Sequence, residues 1–260
     1  MTTYKDIGVE WHGHVAVVEI QRPPLNFFEN SLIQQIADCF ETLEQDDRCR
    51  AIVLAAQGKA FCAGADFSSS GKALFDPDSA DNAIGLYQNA IRLFECKKPI
   101  VGAIQGAAIG GGLGLALVPD FRVVAPEARF AANFVRLGVH AGFGISYVLP
   151  RIISQQNANL LLLTGRRING EQAYQWGLAD QLSDAASVRQ DAIALAAEIA
   201  ECAPLAVEST RATLRAGLVK ALKEQVKHEF AEQVRLAKTD DHAEGTRAVT
   251  ERRLGEFKRS

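Results

Sequence analysis

Two stretches of this chain bring bare main chain within reach of a ligand. One is Ala60-Phe61-Cys62-Ala63-Gly64-Ala65-Asp66, the other Gly106-Ala107-Ala108-Ile109-Gly110-Gly111-Gly112. Each follows an apolar, strand-like run and leads toward a helix-like segment. Small residues allow close approach, and backbone N–H groups left unpaired at such turns attract anionic oxygen. Two N–H donors from separate loops can hold a developing oxyanion. No acid or base stands at an obvious spacing beyond them, so the stabilising half of an active site is readable and the proton-transfer half is not.

Other candidates are few. His140 lies in Leu137-Gly138-Val139-His140-Ala141-Gly142-Phe143-Gly144. An imidazole titrates near neutral pH and can move a proton; the alternative is a histidine bonded to backbone that holds a Gly-rich turn. Cys62 sits beside the first loop with no basic partner in sequence, which favours packing over nucleophilic chemistry. Asn133 and Tyr147 are weaker candidates, and His12, His14, His228 and His242 form no pattern. The five cysteines are odd in number and scattered, without a C-x-x-C pair. That argues against a disulfide framework and a metal site and fits a reducing, cytoplasmic setting. The Gly-rich loop lacks the G-x-G-x-x-G spacing of a dinucleotide site.

The elements that must position these residues alternate. Val15–Ile20, Ala51–Ala56, Pro99–Ile104 and Phe121–Val124 read as strands. Helices are expected from Asn30 or Ser31 to about Glu44, from about Asp81 to Phe94, and briefly after the second loop. The Ser-, Gly- and Pro-rich stretch from Asp66 to Ser79 reads as a mobile loop. Strand–helix alternation predicts right-handed crossovers and a largely parallel sheet, an α/β fold. From about Gln155 the pattern turns almost wholly helical, with windows at 186–201, 204–221 and 222–237 and a last helix over Asp240–Phe257. The expected organisation is an α/β core over 1–200 and a helical module over 201–260 that packs on a partner copy.

With 260 residues, 48% of them apolar, the chain can bury a sizeable core. A net charge of −3 gives no electrostatic case for nucleic acid or a membrane surface, and no apolar run reaches the ~18–20 residues of a membrane span. The N-terminal MTTYKDIGVEW has no signal core. Arg247, Arg252, Arg253, Lys258 and Arg259 crowd the C-terminus, as a solvated face or a site for an anionic group.

Taken in order, several motifs resemble the crotonase superfamily, also called the enoyl-CoA hydratase/isomerase family. They are Ile20-Gln21-Arg22-Pro23, Lys59 to Asp66, Lys98 to Gly106, Ile109-Gly110-Gly111-Gly112-Leu113 with Asp120, Leu163 to Ile168, Ala173 to Ala179, and Glu244-Gly245-Thr246-Arg247. The resemblance implies a crotonase-like ββα spiral with a C-terminal helical oligomerisation module, assembled as a homotrimer or a dimer of trimers. It implies an acyl-CoA thioester as substrate, with coenzyme A entering as part of that substrate and no permanently bound cofactor. By motif match the two oxyanion donors are the N–H groups of Ala63 and Gly111. Lys59, the backbone of Ala60 and Asp66, and Arg252 are expected along the coenzyme A path, and Phe67, Phe134 and Phe143 along the acyl pocket. The hydratases of the family use two glutamates, and the matching positions here are Gly114 and Phe134; a third acid position, used by isomerases and dehalogenases, is Gly142. Glutamate-dependent hydration is therefore not expected. The readings left are an enolate-stabilising enzyme with another proton carrier, His140 first, and an acyl-CoA binder that no longer catalyses.

Overall fold

The computed structural model describes residues 4–65 and 80–260. The β-branched runs read from the sequence assemble into a six-stranded sheet. Numbered in chain order, its strands are β1 (Ile7–His12), β2 (Val15–Ile20), β3 (Ala51–Ala56), β5 (Ile100–Ile104), β7 (Phe121–Val124) and β10 (Gln181–Leu182), and they lie side by side in that order. Only the β1–β2 pair is antiparallel; the rest run parallel, with Val15 opposite Ala51 and Ile52 opposite Ile100. Parallel strands need both faces covered, and β3 and β5 are buried almost throughout. The covering helices include α1 (Asn30–Glu44), α2 (Ala80–Glu95) and α7 (Val188–Ala200), with α7 across β3 and β5 and α1 against α2. Leu32, Ile33, Ile36, Phe40 and Leu43 of α1 recur at helical spacing and are all buried.

The second sheet positions the loops. It is β4 (Ala60–Cys62), β6 (Ala107–Ile109), β8 (Arg129–Ala131) and β9 (Arg167–Asn169), in that order. β4, β6 and β8 are parallel neighbours and β9 closes the edge antiparallel. Each of the two loop stretches therefore holds a three-residue strand, and three segments leave the same edge of one small sheet: 63–65 after β4, 110–112 after β6, and 132–144 after β8. The outer carboxyl ends of parallel strands are where open α/β sheets hold ligands. The loops touch so closely that two glycines are required. A Cβ on Gly112 would stand 2.0 Å from the Cys62 carbonyl oxygen. One on Gly64, at φ +89°, would stand 2.8 Å from that of Ile109.

The C-terminal part is not wholly helical. Besides α4 (Ile145–Ile152), α5 (Gln155–Thr164) and α6 (Gly170–Gln175) it contributes β9 and β10 to the sheets. The 204–221 window divides at Gly217, φ +78°, between α8 (Pro204–Leu214) and α9 (Leu218–Leu236), and α10 (Asp240–Thr250) ends short of Phe257. α9 folds back onto α2 and α4 of its own chain, and α10 lies on the 3-10 turn Asn133–Leu137. α8 is fastened by Asp120, which accepts from Arg211 Nε at 2.7 Å, from an Arg215 guanidinium nitrogen at 2.8 Å and from the Ile100 N–H at 2.9 Å. Among the described residues no helix is long and apolar enough to cross a membrane.

Candidate active site

The loop after β4 is set by a buried asparagine that the sequence reading passed over. Asn26 is fully buried; its Nδ2 donates to the carbonyls of Gln57 at 2.6 Å and Ala60 at 2.8 Å. The Ala60 N–H points at the Pro24 carbonyl and its own carbonyl also accepts from Gln105, so both polar groups of its main chain are committed inside the fold. Lys59 is exposed at the loop's start. Asp66 and Phe67 lie outside the described residues.

The donor assignment changes at Ala63. Its N–H donates to the Leu25 carbonyl at 3.0 Å and cannot face a ligand. The Gly64 carbonyl then accepts from the Phe28 N–H at 2.8 Å, which leaves the Ala65 N–H as the next donor, with no partner among the described residues. Sequence could not separate the two alanines, because a contact from the Pro23–Asn26 turn decides between them. The second loop is set by its own strand and helix. Gly110 donates to Ala131, and Gly111 opens the short helix α3 (Gly111–Ala116), where a first-turn N–H has no partner within the helix.

Aromatic rings crowd two of the positions at which the sequence reading looks for carboxylates. A Cβ on Gly114 would meet the Phe143 ring at 2.5 Å and the Phe143 Cβ at 2.8 Å. Phe143 packs edge to face on Phe28, centroids 5.2 Å apart, and Phe28 in turn covers the Gly111 Cα at 2.9 Å from the position of a Cβ. Phe134 is buried below Gly110. At the third acid position a Cβ on Gly142 would lie 2.3 Å from the Tyr87 hydroxyl and 2.6 Å from Gln233 Nε2. Positions 114, 134 and 142 thus carry no acid, and at 114 and 142 there is no room for one as the chain stands.

The remaining candidates have internal duties. His140 Nδ1 is bonded to the Ala141 carbonyl at 2.7 Å, and its ring meets His228 of α9 at 5.7 Å between centroids. That is the backbone-held histidine of the Gly-rich turn, and its ring faces α9 rather than the two loops. Burial pushes the Cys62 thiol up to about 12, so it stays protonated, a packing group and not a nucleophile. Asn133 Oδ1 stands 3.3 Å from where a Gly110 Cβ would be, and Tyr147 carries the Arg151 guanidinium on its ring at 3.3 Å. Arg252 is exposed beyond α10 at φ +57°, while Arg253 pairs with Glu244 and Glu251. A cavity of about 470 Å³ at the α8–α9 junction, lined among others by Asp120, Arg122 and Arg215, includes no residue of either loop.

Behind Phe143 the structure gathers polar groups that the sequence reading missed. Glu229, fully buried on α9, accepts from the Gly144 N–H at 2.7 Å, from the Ser146 N–H at 3.1 Å and from the Ser146 hydroxyl. Burial pushes its carboxyl up to about 7 against the pull of those donors. Gln233 accepts from the Tyr87 hydroxyl and donates to the His140 carbonyl at 2.8 Å. Burial, and the Glu229 charge after it, raise the Tyr87 phenol well above its ordinary value, so it is neutral.

Two loops that leave the carboxyl edge of one small, mainly parallel sheet, with Phe28 and Phe143 packed beside them, make the candidate site of this α/β protein. The comparisons narrow this. Residues 10–260 match the family model described as enoyl-CoA hydratase/isomerase. A protein of Mycobacterium tuberculosis named "Probable enoyl-CoA hydratase echA14" is 33% identical over 91% of both chains. The human mitochondrial Delta(3,5)-Delta(2,4)-dienoyl-CoA isomerase is 31% identical over 92% of this chain and 76% of its own. The crystal structure of an enoyl-CoA hydratase/isomerase from Pseudoalteromonas atlantica T6c superposes with a TM-score of 0.84 at 27% identity, covering 98% of this chain and 100% of that one. The chain belongs to the enoyl-CoA hydratase/isomerase family, within the crotonase superfamily.

Proposed function

We propose that the chain binds an acyl-CoA thioester and stabilises its enolate between the N–H groups of Gly111 and Ala65. The observation that carries this is the shared sheet edge: β4 and β6 are parallel neighbours, and the loop at the carboxyl end of each carries one N–H, of Ala65 and of Gly111, with no partner among the described residues. Enolate formation concentrates charge on the thioester oxygen, and donors fixed beforehand need no reorganisation to meet it; one such donor is commonly worth about 3–4 kcal/mol of barrier. Lys59 and Arg252 are the cations proposed for the coenzyme A phosphates. With positions 114, 134 and 142 apolar, water addition by a carboxylate pair has no support; what remains is enolate chemistry in which the α-proton passes to a solvent or buffer base while the two amides hold the charge left on oxygen.

The test is the binding of acetoacetyl-CoA, whose enolate has its own ultraviolet band, together with exchange of α-hydrogens of a saturated acyl-CoA in D2O followed by mass spectrometry. A bound enolate band and enzyme-dependent exchange are expected; absence of both ends the reading. The occupation of the Gly114 space by Phe143 favours a second reading, a thioester binder that does not turn over. It predicts the enolate band without exchange and without conversion of any trans-2-enoyl-CoA.

A further inference from the structure

The thioester reading gives no task to Glu229, yet three residues of α9 spaced four apart, Gln225, Glu229 and Gln233, form one stripe along the turn that carries Phe143. Gln225 Nε2 donates to the Ser146 hydroxyl at 2.9 Å. Glu229 takes the Gly144 and Ser146 N–H groups, and Gln233 holds the His140 carbonyl on the other side. Between these ties Phe143 adopts φ +61°, a conformation that a bulky side chain keeps only where its surroundings over-determine it. The ring it directs packs into the Gly114 space and against Phe28, which covers Gly111.

We propose that Glu229 is the positioning residue of this site: reaching in from the C-terminal helix, its carboxylate holds the Gly142–Ser146 turn in the conformation that seats Phe143 as the wall opposite the Gly111 amide. The proposal rests on the thioester reading of the two loops. Its ionised form accepts from the Gly144 and Ser146 N–H groups and from the Ser146 hydroxyl. Protonated, it carries a hydrogen that neither N–H group can accept; the Ser146 hydroxyl can take it only by giving up its own donation to the carboxyl, and the charge that strengthens these ties is lost. The groups facing Glu229 are the neutral Tyr87 from α2, Ser146 from α4, and Gln225 and Gln233 on its own helix; the Phe143 N–H faces the same Tyr87 hydroxyl. No lysine or arginine pairs with it among the described residues, and His140 and His228 act on Glu232 instead. With the carboxyl at about 7, thioester binding falls as pH drops through that value. Fold stability moves the opposite way, because a folded value raised above the unfolded one gives stability that is lost as pH rises through it.

The experiment measures acetoacetyl-CoA Kd by calorimetry, and Tm, for the full-length wild type and Glu229→Gln below and above pH 7. The ligand's own ionisation cancels in the ratio of the two Kd values. Above pH 7 the variant is expected to bind roughly 10–100-fold more weakly, as misplacement of a site wall costs, and below pH 7 the ratio approaches one. A ratio that does not change with pH, or stays near one throughout, overturns the proposal. If Glu229→Gln does not fold, Ser146→Ala serves: it removes a donor that lowers the carboxyl's pKa, so the pH step in wild-type-like binding moves upward; an unmoved step overturns the proposal. A wild type that binds no acetoacetyl-CoA overturns the thioester reading and this proposal with it, whereas a binding wild type with a flat ratio overturns the role of Glu229 alone.

Discussion

Phe143 decides what position 114 can carry. Gly114→Ala places a Cβ 2.5 Å from its ring, so the variant is expected to lose about 1–3 kcal/mol in urea unfolding, the usual cost of overpacking. In a Phe143→Gly background, itself destabilised by the loss of a buried ring, Gly114→Ala should cost little further, since glycine at 143 removes both ring and Cβ and accepts φ +61°. For the same reason Gly114→Glu alone is not expected to yield a hydratase: trans-2-enoyl-CoA should remain unhydrated by mass spectrometry. His140→Ala should leave α-hydrogen exchange unchanged, because the ring is tied to the Ala141 carbonyl and faces His228. A fall of about 10²–10⁴-fold, the range of a lost general acid or base, would return His140 to the mechanism. At this scale the absence of glutamates was legible from position alone. Which alanine of the first loop offers its N–H was not, since the Leu25 carbonyl, distant in sequence, claims Ala63. Nor was Glu229, whose surroundings in sequence are those of any polar helix position.

At the scale of elements, Asp120 is the joint between the sheet and α8. Burial would raise its carboxyl, but the neighbouring Arg211 and then Arg215 outweigh burial and hold it below the ordinary value. A folded value below the unfolded one gives stability that is present above the unfolded value and lost as pH falls through the folded one. Asp120→Ala leaves two largely buried guanidinium groups facing each other, and a loss of about 3–5 kcal/mol is expected at neutral pH. Thermal melts of both proteins should converge on acidification; a constant gap would mean that the ion pairs contribute nothing. Strands β2, β3, β5 and β7 of the first sheet were legible because four to six mostly β-branched or small apolar residues run between turn signals, whereas β1, interrupted by Gly8 and Glu10, was not. β9 and β10 were not: at three and two residues they are shorter than any periodicity can register, and their pairing to β8 and β7 creates them. β4 and β6 lay hidden in the stretches read as loops for the same reason.

The whole molecule leaves large apolar side chains uncovered in its helical parts. Leu205 and Leu214 of α8 are 79% and 82% exposed and Leu163 of α5 75%. Exposed apolar side chains of this size are candidates for an association surface, and the expected assembly is a trimer or a pair of trimers. Light scattering of the wild type beside Leu163→Glu and Leu214→Glu checks it: a smaller mass for either variant with an unchanged circular dichroism spectrum is the expected result, and a monomeric wild type would refute it. Self-association was read from helices with little core of their own. In the structure α9 spends a buried face on its own chain, against α2 and α4.

That return of α9 has a consequence for how the protein is made. Ribosomes release the chain amino end first, so both amide-bearing loops emerge long before the residues that fasten Phe143; the Gly144–Glu229 tie spans 85 positions and the Tyr87–Gln233 tie 146. A nascent chain halted before α9 owns the donors but not the wall. If the proposed thioester site holds, competence to bind is acquired near the end of synthesis, and a chain stalled before α9 is expected to bind coenzyme A esters more weakly than the finished one.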